Sequence, residues 1–400
     1  MKKIYEEYKE IIIYTIIAAI IGVIVGIIDT IFGKVLLKIT EVRNDNVIKL
    51  LPFLALAGIL IIMLYRKFSE ESLKGMGLVF QTGHGEIDEI PKRLIPLVIL
   101  STWITHLFGG SAGREGVAVQ LGATISNSIS KKLKFINKPR IFLVVGMAAG
   151  FAGLFQTPLA ATFFALEVLV AGSLIYEALL PVLTASFVAS FTSYFLGLEK
   201  FSATIDETIN LNGSNIFKII IVAILFGIVG GVFAKLLEVS KKFFASKIKN
   251  PIKKIFIMGC GLSIILLLIH FGRYSGLGTN LINASFSNGK IYIYDWAFKI
   301  ILTILTLAAG YQGGEVTPLF SIGASLGVVL ASLFGLPSLL IAALGYIAVF
   351  GSATNTLLAP IFIGIEVFGT ENIIIFVIVC IIAYVFNGNK TIYSLQKNRR

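Results

Sequence analysis

Charge is scarce in this chain of 400 residues, and acid is scarcer than base: 22 Asp and Glu stand against 34 Lys and Arg, and charged residues make up 14% of the total. A soluble domain carries about 25% charged residues, so an ordinary water-soluble globule is excluded. Cysteine is nearly absent. The two present, Cys260 and Cys380, lie inside apolar runs, which speaks against a disulfide framework or a thiolate metal site. The three histidines, His84, His106 and His270, are scattered without metal-ligand spacing. Since no Ser/His pair, Cys/His pair or two-acid metal motif is present either, neither a catalytic centre, a metal site nor a cofactor is expected. The start MKKIYEEYKE contains acids and runs into an over-long apolar segment, unlike a cleavable signal peptide.

What the chain has instead is apolar length. Hydrophobic residues reach 56% and mean hydropathy is +0.90. Apolar segments recur near 11–39, 50–65, 93–110, 140–170, 174–198, 216–234, 255–271, 296–311, 320–351 and 357–386. A spanning helix needs about 20 apolar residues. Several of these segments are too long for one crossing and too short for two, so tilted or broken helices are expected in an all-α, polytopic membrane protein. The net charge of +12 does not imply a nucleic-acid partner, because the bases fall in the gaps between apolar segments. Lys131 to Arg140 carries five bases and no acid, and Lys235 to Lys254 carries seven Lys against one Glu. By the positive-inside rule these loops, and the basic tail from Lys390, read as cytoplasmic. The polar, slightly acidic stretch 199–215 reads as external.

The chain also repeats itself. At a gapless offset of 199, residues 146–168 match 345–367 at nine of 23 positions, among them Gly146/Gly345, Thr157/Thr356, Ala160/Ala359 and Glu167/Glu366. Gly22 and Gly26 echo Gly227 and Gly231, and Gly109-Gly110 echoes Gly313-Gly314. These matches divide the chain into membrane repeats 1–205 and 206–400. Repeats of this kind commonly pack with inverted topology around a midplane site, although parallel duplication would give the same sequence signal.

Three glycine-rich stretches interrupt the apolar pattern: 74–80 (KGMGLVF), 109–117 (GGSAGREGV) and 313–318 (GGEVTP). Unwound backbone at membrane depth is tolerated only where protein or a water-filled cavity satisfies it. Each stretch is followed by residues able to restart a helix, whose free N–H groups and positive dipole end would face the break. Such ends, converging, make an anion site. The alternative, surface loops, suits the first stretch best, since charged residues precede it.

Glu115 is the central candidate. It follows Gly113 and Arg114 and precedes Gly116, where backbone can approach an ion closely, and an ionisable residue within a membrane segment is a functional hypothesis by default. A carboxylate at a helix start is itself an anion. It can therefore occupy the site it guards and leave when protonated, coupling proton to anion with one side chain. A structural Arg114–Glu115 ion pair is the competing reading. Glu167 and Glu366 are repeat partners and point to helix packing, and Asp29 is expected at a helix interface. Glu315, in a break beside Thr317 and Pro318, is either a proton relay or a helix cap. Asn212-Gly-Ser214 matches a glycosylation acceptor, a weak pattern without secretory context.

These motifs resemble those of the CLC anion transporters and channels, in order and over essentially the whole chain. Gly113 to Val117 (GREGV) resembles the family's GREGP, Gly313 to Pro318 its GxFxP, Lys74 to Val79 its GSGIP, and Tyr393 its pore-lining tyrosine. The resemblance implies a homodimer with one pathway per subunit, inverted repeats, and Glu115 as the gating and proton-coupling glutamate. It also implies an anion site drawn from Gly75, Met76, Gly77, Phe80, Gly113, Arg114, Gly116, Val117, Val316, Thr317 and Tyr393. It places the chain in a prokaryotic cell membrane with both termini cytoplasmic, and expects no soluble regulatory domain after Tyr393.

The departures from the family pattern are informative. Its serine is Met76 here, its prolines after the first two motifs are Val79 and Val117, and its GxFxP phenylalanine is Val316. Methionine at that place and valine after GREG are similar to the fluoride/proton antiporter subgroup. Chloride/proton exchangers carry a second, inner glutamate, which aligns with Val168. The sequence thus reads as a fluoride/proton antiporter, with a CLC chloride/proton exchanger or passive anion channel as the alternative. Its partners are fluoride, possible chloride, protons and membrane lipid.

Overall fold

The computed structural model describes residues 2–133, 138–210, 212–287 and 289–398. Met1, Lys134 of the first basic loop, and Arg399 and Arg400 of the basic tail lie outside the described residues. The chain opens with α1 (Lys2–Asp45), α2 (Val47–Leu50), α3 (Leu54–Phe68), α4 (Met76–Gly83) and α5 (Leu94–Leu107). It continues through α6 (Glu115–Lys132), α7 (Pro139–Phe155), α8 (Pro158–Glu167) and α9 (Leu179–Phe195). After the polar stretch come α10 (Gly213–Lys247), α11 (Pro251–Leu268), α12 (Thr279–Phe286) and α13 (Asp295–Ala309). Last are α14 (Val316–Phe334), α15 (Ser338–Thr354), α16 (Leu358–Phe368) and α17 (Ile373–Val385). The named strands are a two-residue parallel pair, Val170–Ala171 with Lys397–Asn398.

Helix length follows from where the chain can and cannot bend. The 44 residues of α1 and the 35 of α10 have no internal proline and run unbroken. At 1.5 Å per residue they reach about 66 and about 52 Å, well beyond the roughly 30 Å hydrocarbon layer, so they cross obliquely or project from it. The long apolar segments 140–170 and 320–351 are broken instead, the second between α14 and α15, and 357–386 is parted from it at Asn355. Gln156 (φ 55°) ends α7 and Asn355 (φ 54°) ends α15, at positions related by the repeat offset, with proline starting α8 just beyond the first. Large apolar side chains remain on the outer surface at helical spacing, such as Ile12, Ile16 and Ile20 on α1 and Leu56, Leu60 and Met63 on α3. Such a surface is stable against lipid and not against water.

With hydrocarbon outside as well as in, close backbone packing is what holds the helices together. A Cβ on Gly122 would stand 2.0 Å from the Gly146 carbonyl oxygen, and one on Gly323 would stand 2.0 Å from that of Gly345. Thus α6 crosses α7 and α14 crosses α15 at the same repeat-related glycine pairs. The other echoes do matching work. Gly22 and Gly26 press α1 against the Ala185 and Ala189 carbonyls of α9, and Gly227 and Gly231 press α10 against the Ala383 and Asn387 carbonyls at the end of α17. The polar stretch is more than a link: Glu207 accepts the Leu339 and Leu340 N–H groups at the start of α15, and Ala203 donates to the Val367 carbonyl.

Gly323→Ala should therefore destabilise the protein by about 2 kcal/mol or more through overpacking. Gly261→Ala, where an added Cβ meets nothing within 4 Å, should be neutral or stabilising by up to about 1 kcal/mol. Thermal unfolding of the two purified variants in detergent checks this, and equal shifts would remove the close-packing argument.

Candidate functional site

The second and third glycine breaks meet each other. Gly113 donates to the Gly314 carbonyl at 2.5 Å and Gly314 donates to the Gly113 carbonyl at 2.8 Å, an isolated antiparallel bridge. Only glycine fits there. A Cβ on Gly113 would lie 2.9 Å from Pro318 Cδ, and one on Gly314 would lie 2.9 Å from the Gly116 nitrogen. A polar stripe on α13 fastens the approach to the bridge. The Ser111 hydroxyl pairs with Thr303 Oγ1 at 2.9 Å and accepts from Lys299 Nζ at 2.9 Å, while the Ser111 N–H donates to Thr306 Oγ1 at 3.2 Å.

From this bridge α6 and α14 depart, and the first residue of one reaches the first turn of the other. Glu115 is 1% exposed. Its Oε2 accepts the Thr317 N–H at 3.1 Å and the Thr317 hydroxyl at 2.5 Å, and Arg114's own N–H approaches it at 3.3 Å. The Arg114 guanidinium stands beside the other oxygen, with Nε 3.7 Å from Oε1. The ion pair therefore exists, but Thr317 provides the closer hold. A carboxylate oxygen thus occupies a helix start of the kind that binds small anions, where N–H groups, a hydroxyl and the positive dipole end converge.

Next to this seat lies a cavity of about 310 Å³, lined by Gly75, Met76, Gly77, Phe80, Gly313, Glu315 and Tyr393 among others. Met76 begins α4 after Gly75, whose φ of 51° turns the chain into the helix. The Phe80 and Tyr393 rings lie 5.2 Å apart at 31°, and Phe164 stands edge-on to Tyr393 at 6.3 Å. The structure thus gathers the Met76 loop, Phe80, Tyr393 and Glu315 around one space. Val117 and Val316 are fully packed, and Thr317 turns its hydrogen-bonding groups to Glu115. Gly116 backs onto Gly314, and a Cβ there would lie 3.9 Å from Glu315 Oε2.

Glu315 does not behave as a cap. It precedes α14 without any side-chain bond to the helix start, and its Oε1 lies 3.7 Å from Lys241 Nζ of α10. Sequence reasoning passed over Lys241, which sits in a run of lysines on a long helix and carries no local mark. It also passed over Gln120, which lines the cavity one turn beyond Gly116 and has a buried Oε1 without a hydrogen-bond partner. An amide one turn after the second glycine break was the available signal.

The repeat-related acids cap each other's helices. Glu167, at the end of α8, accepts the N–H groups of Leu357, Leu358 and Ala359 at the start of α16. Glu366, near the end of α16, accepts those of Leu159 and Ala160 at the start of α8. Asp29 is fully buried against Gly153 of α7 and has no hydrogen-bond partner among the described residues. Val168 is packed in the core, so no carboxylate stands at that position.

Comparison with known proteins now bears on this geometry. The family model for the voltage gated chloride channel matches residues 57–388. A chloride/fluoride channel protein of Pseudomonas syringae pv. tomato is 34% identical over 358 residues, covering 88% of this chain and 78% of that protein. The crystal structure of a CLC-type fluoride/proton antiporter superposes with a TM-score of 0.96 at 52% identity, covering 98% of this chain and 99% of that one. A slow cyanobacterial Cl⁻/H⁺ antiporter shares the fold, with a TM-score of 0.83 at 20% identity and 96% coverage of both chains. With matches of this extent, the chain belongs to the voltage-gated chloride channel family, the CLC proteins.

Proposed function

We propose that this protein is a fluoride/proton antiporter that exports fluoride in exchange for protons, with Glu115 as gate and proton carrier. The observation that carries this reading is the Glu115 carboxylate seated on the Thr317 N–H and hydroxyl at the start of α14. The 52% identity to a structure described as a fluoride/proton antiporter supports it over its nearest alternatives, a chloride/proton exchanger or a passive channel. While charged, Glu115 fills the seat and excludes mobile anions. When it takes a proton it loses the charge that the helix start attracts, and its place passes to fluoride, a small and strong acceptor for the same two donors. Return of the carboxylate expels the anion and releases the proton.

Selectivity in this reading comes from Met76. Its thioether is a weak acceptor and donates nothing, so the cavity offers an anion no hydroxyl there, while the bulk narrows it. Phe80, tilted against Tyr393, can turn a positive ring edge to the anion. Glu315, across the same cavity, is the proposed inner proton relay, since Val168 cannot carry a proton. The glycine crossings of α6 with α7 and of α14 with α15 support treating residues 1–205 and 206–400 as two membrane repeats, and their inversion relative to each other rests on the common pattern of such repeats. The protein would act as a homodimer in a prokaryotic cell membrane, with its basic loops and both termini in the cytoplasm.

Three variants in fluoride-loaded liposomes test these assignments. Glu115→Gln cannot titrate at any working pH, so coupled proton movement should fall to the level of protein-free vesicles; retained coupling overturns the gate. Met76→Ser should raise chloride relative to fluoride permeation by about tenfold, the value of one hydrogen bond to a charged group. An unchanged ratio moves discrimination to Phe80 or Thr317. Glu315→Gln keeps size and an acceptor oxygen but removes titration, so proton flux should slow or uncouple from fluoride. Normal coupling would leave Glu115 to carry the proton alone.

A further inference from the structure

Lys241 occupies a position unlike that of its neighbours in the basic run of α10. Lys235 and Lys242 both turn to Glu238 on their own helix, at 3.5 and 2.5 Å. Lys241 turns the other way, toward Glu315, whose side chain is 13% exposed against 46% for the lysine. The separation of 3.7 Å exceeds a hydrogen bond, so the contact is loose. Lys241 also stands where two spaces meet. One is the cavity of Met76, Tyr393 and Glu315. The other, about 380 Å³, is lined by Lys235, Lys242 and Lys390, and both share Lys241, Ile392 and Ser394 in their walls. The two spaces therefore adjoin at this ammonium group, and the Glu315 carboxylate facing it lines the first of them.

We propose that Lys241 is the anion-recruiting residue of the inner mouth, and that the Glu315 carboxylate and an incoming fluoride compete for it. This deepens the antiporter reading and rests on it. Among the described residues, the charged and titratable groups around Glu315 are Lys241 from α10, Lys74 ahead of α4, Tyr311 beyond α13, Tyr393 from the C-terminal segment, and Glu115 where α6 begins. A proton reaching Glu315 on its way inward neutralises the carboxylate and frees Lys241 to take fluoride. Departure of that proton to the cytoplasm restores the carboxylate, which reclaims Lys241 and releases the anion toward Met76. Anion uptake and proton release are thereby linked at one ion pair, separately from the exchange at Glu115.

The test is calorimetric titration of sodium fluoride into the detergent-solubilised protein, with liposome efflux measured alongside. Lys241→Met should raise the fluoride Kd by about fivefold, the upper end for one partly exposed charge, and flatten its dependence on ionic strength. Lys241→Arg should restore both. Glu315→Gln should lower the Kd, and the Lys241→Met effect should grow in that background because the lysine has lost its competitor. An unchanged Kd in Lys241→Met, or an effect no larger in the Glu315→Gln background, overturns the proposal while intact wild-type efflux leaves the antiporter reading standing. No fluoride efflux from the wild type would overturn that reading and this one with it.

Discussion

The reciprocal hydrogen bonds between Gly113 and Gly314 are the constraint on which the rest of the site depends. Two helices that start in the middle of a membrane leave N–H groups bare, and the backbone preceding each start must be satisfied without water. Pairing the two breaks with each other solves that locally. It also brings the starts of α6 and α14 within one side chain of each other, so that Glu115 reaches Thr317. Sterics decide which residues can form the bridge: Pro318, Gly116 and Gly314 crowd it so closely that any side chain would force the two segments apart. The α13 stripe of Lys299, Thr303 and Thr306 then fixes Ser111, which keeps the entering chain from sliding along the bridge. The place that the Glu115 carboxylate occupies is therefore a product of backbone approach more than of any charged side chain.

Much of this was legible because it is written locally. Glycine runs inside apolar sequence announce breaks, the offset of 199 relates Gln156 to Asn355 and Gly146 to Gly345, and Glu115 is conspicuous in a membrane segment. The Gly22/Gly26 and Gly227/Gly231 echoes turned out to be helix crossings of the same kind. Partners were not legible. Glu167 meets the start of α16 at a separation of 192 residues, and no periodicity in either segment records that pairing. Glu315 looked equally suited to capping, and only the structure shows its carboxyl turned from α14 toward Lys241. The stretch 199–215 read as a plain polar link because a glutamate that caps a distant helix has the same composition as one facing water.

One device recurs through the molecule, and its instances differ in how firmly the carboxylate is held. Glu115, Glu167, Glu207 and Glu366 each place a carboxylate on the N–H groups that open another helix, where the dipole favours negative charge. Glu167 uses both oxygens on three N–H groups, and Glu366 uses both oxygens on two. Those pairs reciprocate, so withdrawing either acid would bare the start of one helix while its partner still held the other. Glu207 spreads one oxygen over two N–H groups and ties down an extended segment. Glu115 differs in each respect. One oxygen alone holds Thr317, through a hydroxyl that can rotate to another acceptor and an N–H that a free anion can take over. The other oxygen has only a loose approach from Arg114, and glycines flank the helix start. On the proposed reading, leaving costs Glu115 two donors that fluoride would replace, whereas leaving costs Glu167 three. The same chemistry is thus a fastening where it is reciprocated and, on the proposed antiporter reading, a gate where fluoride would take its place.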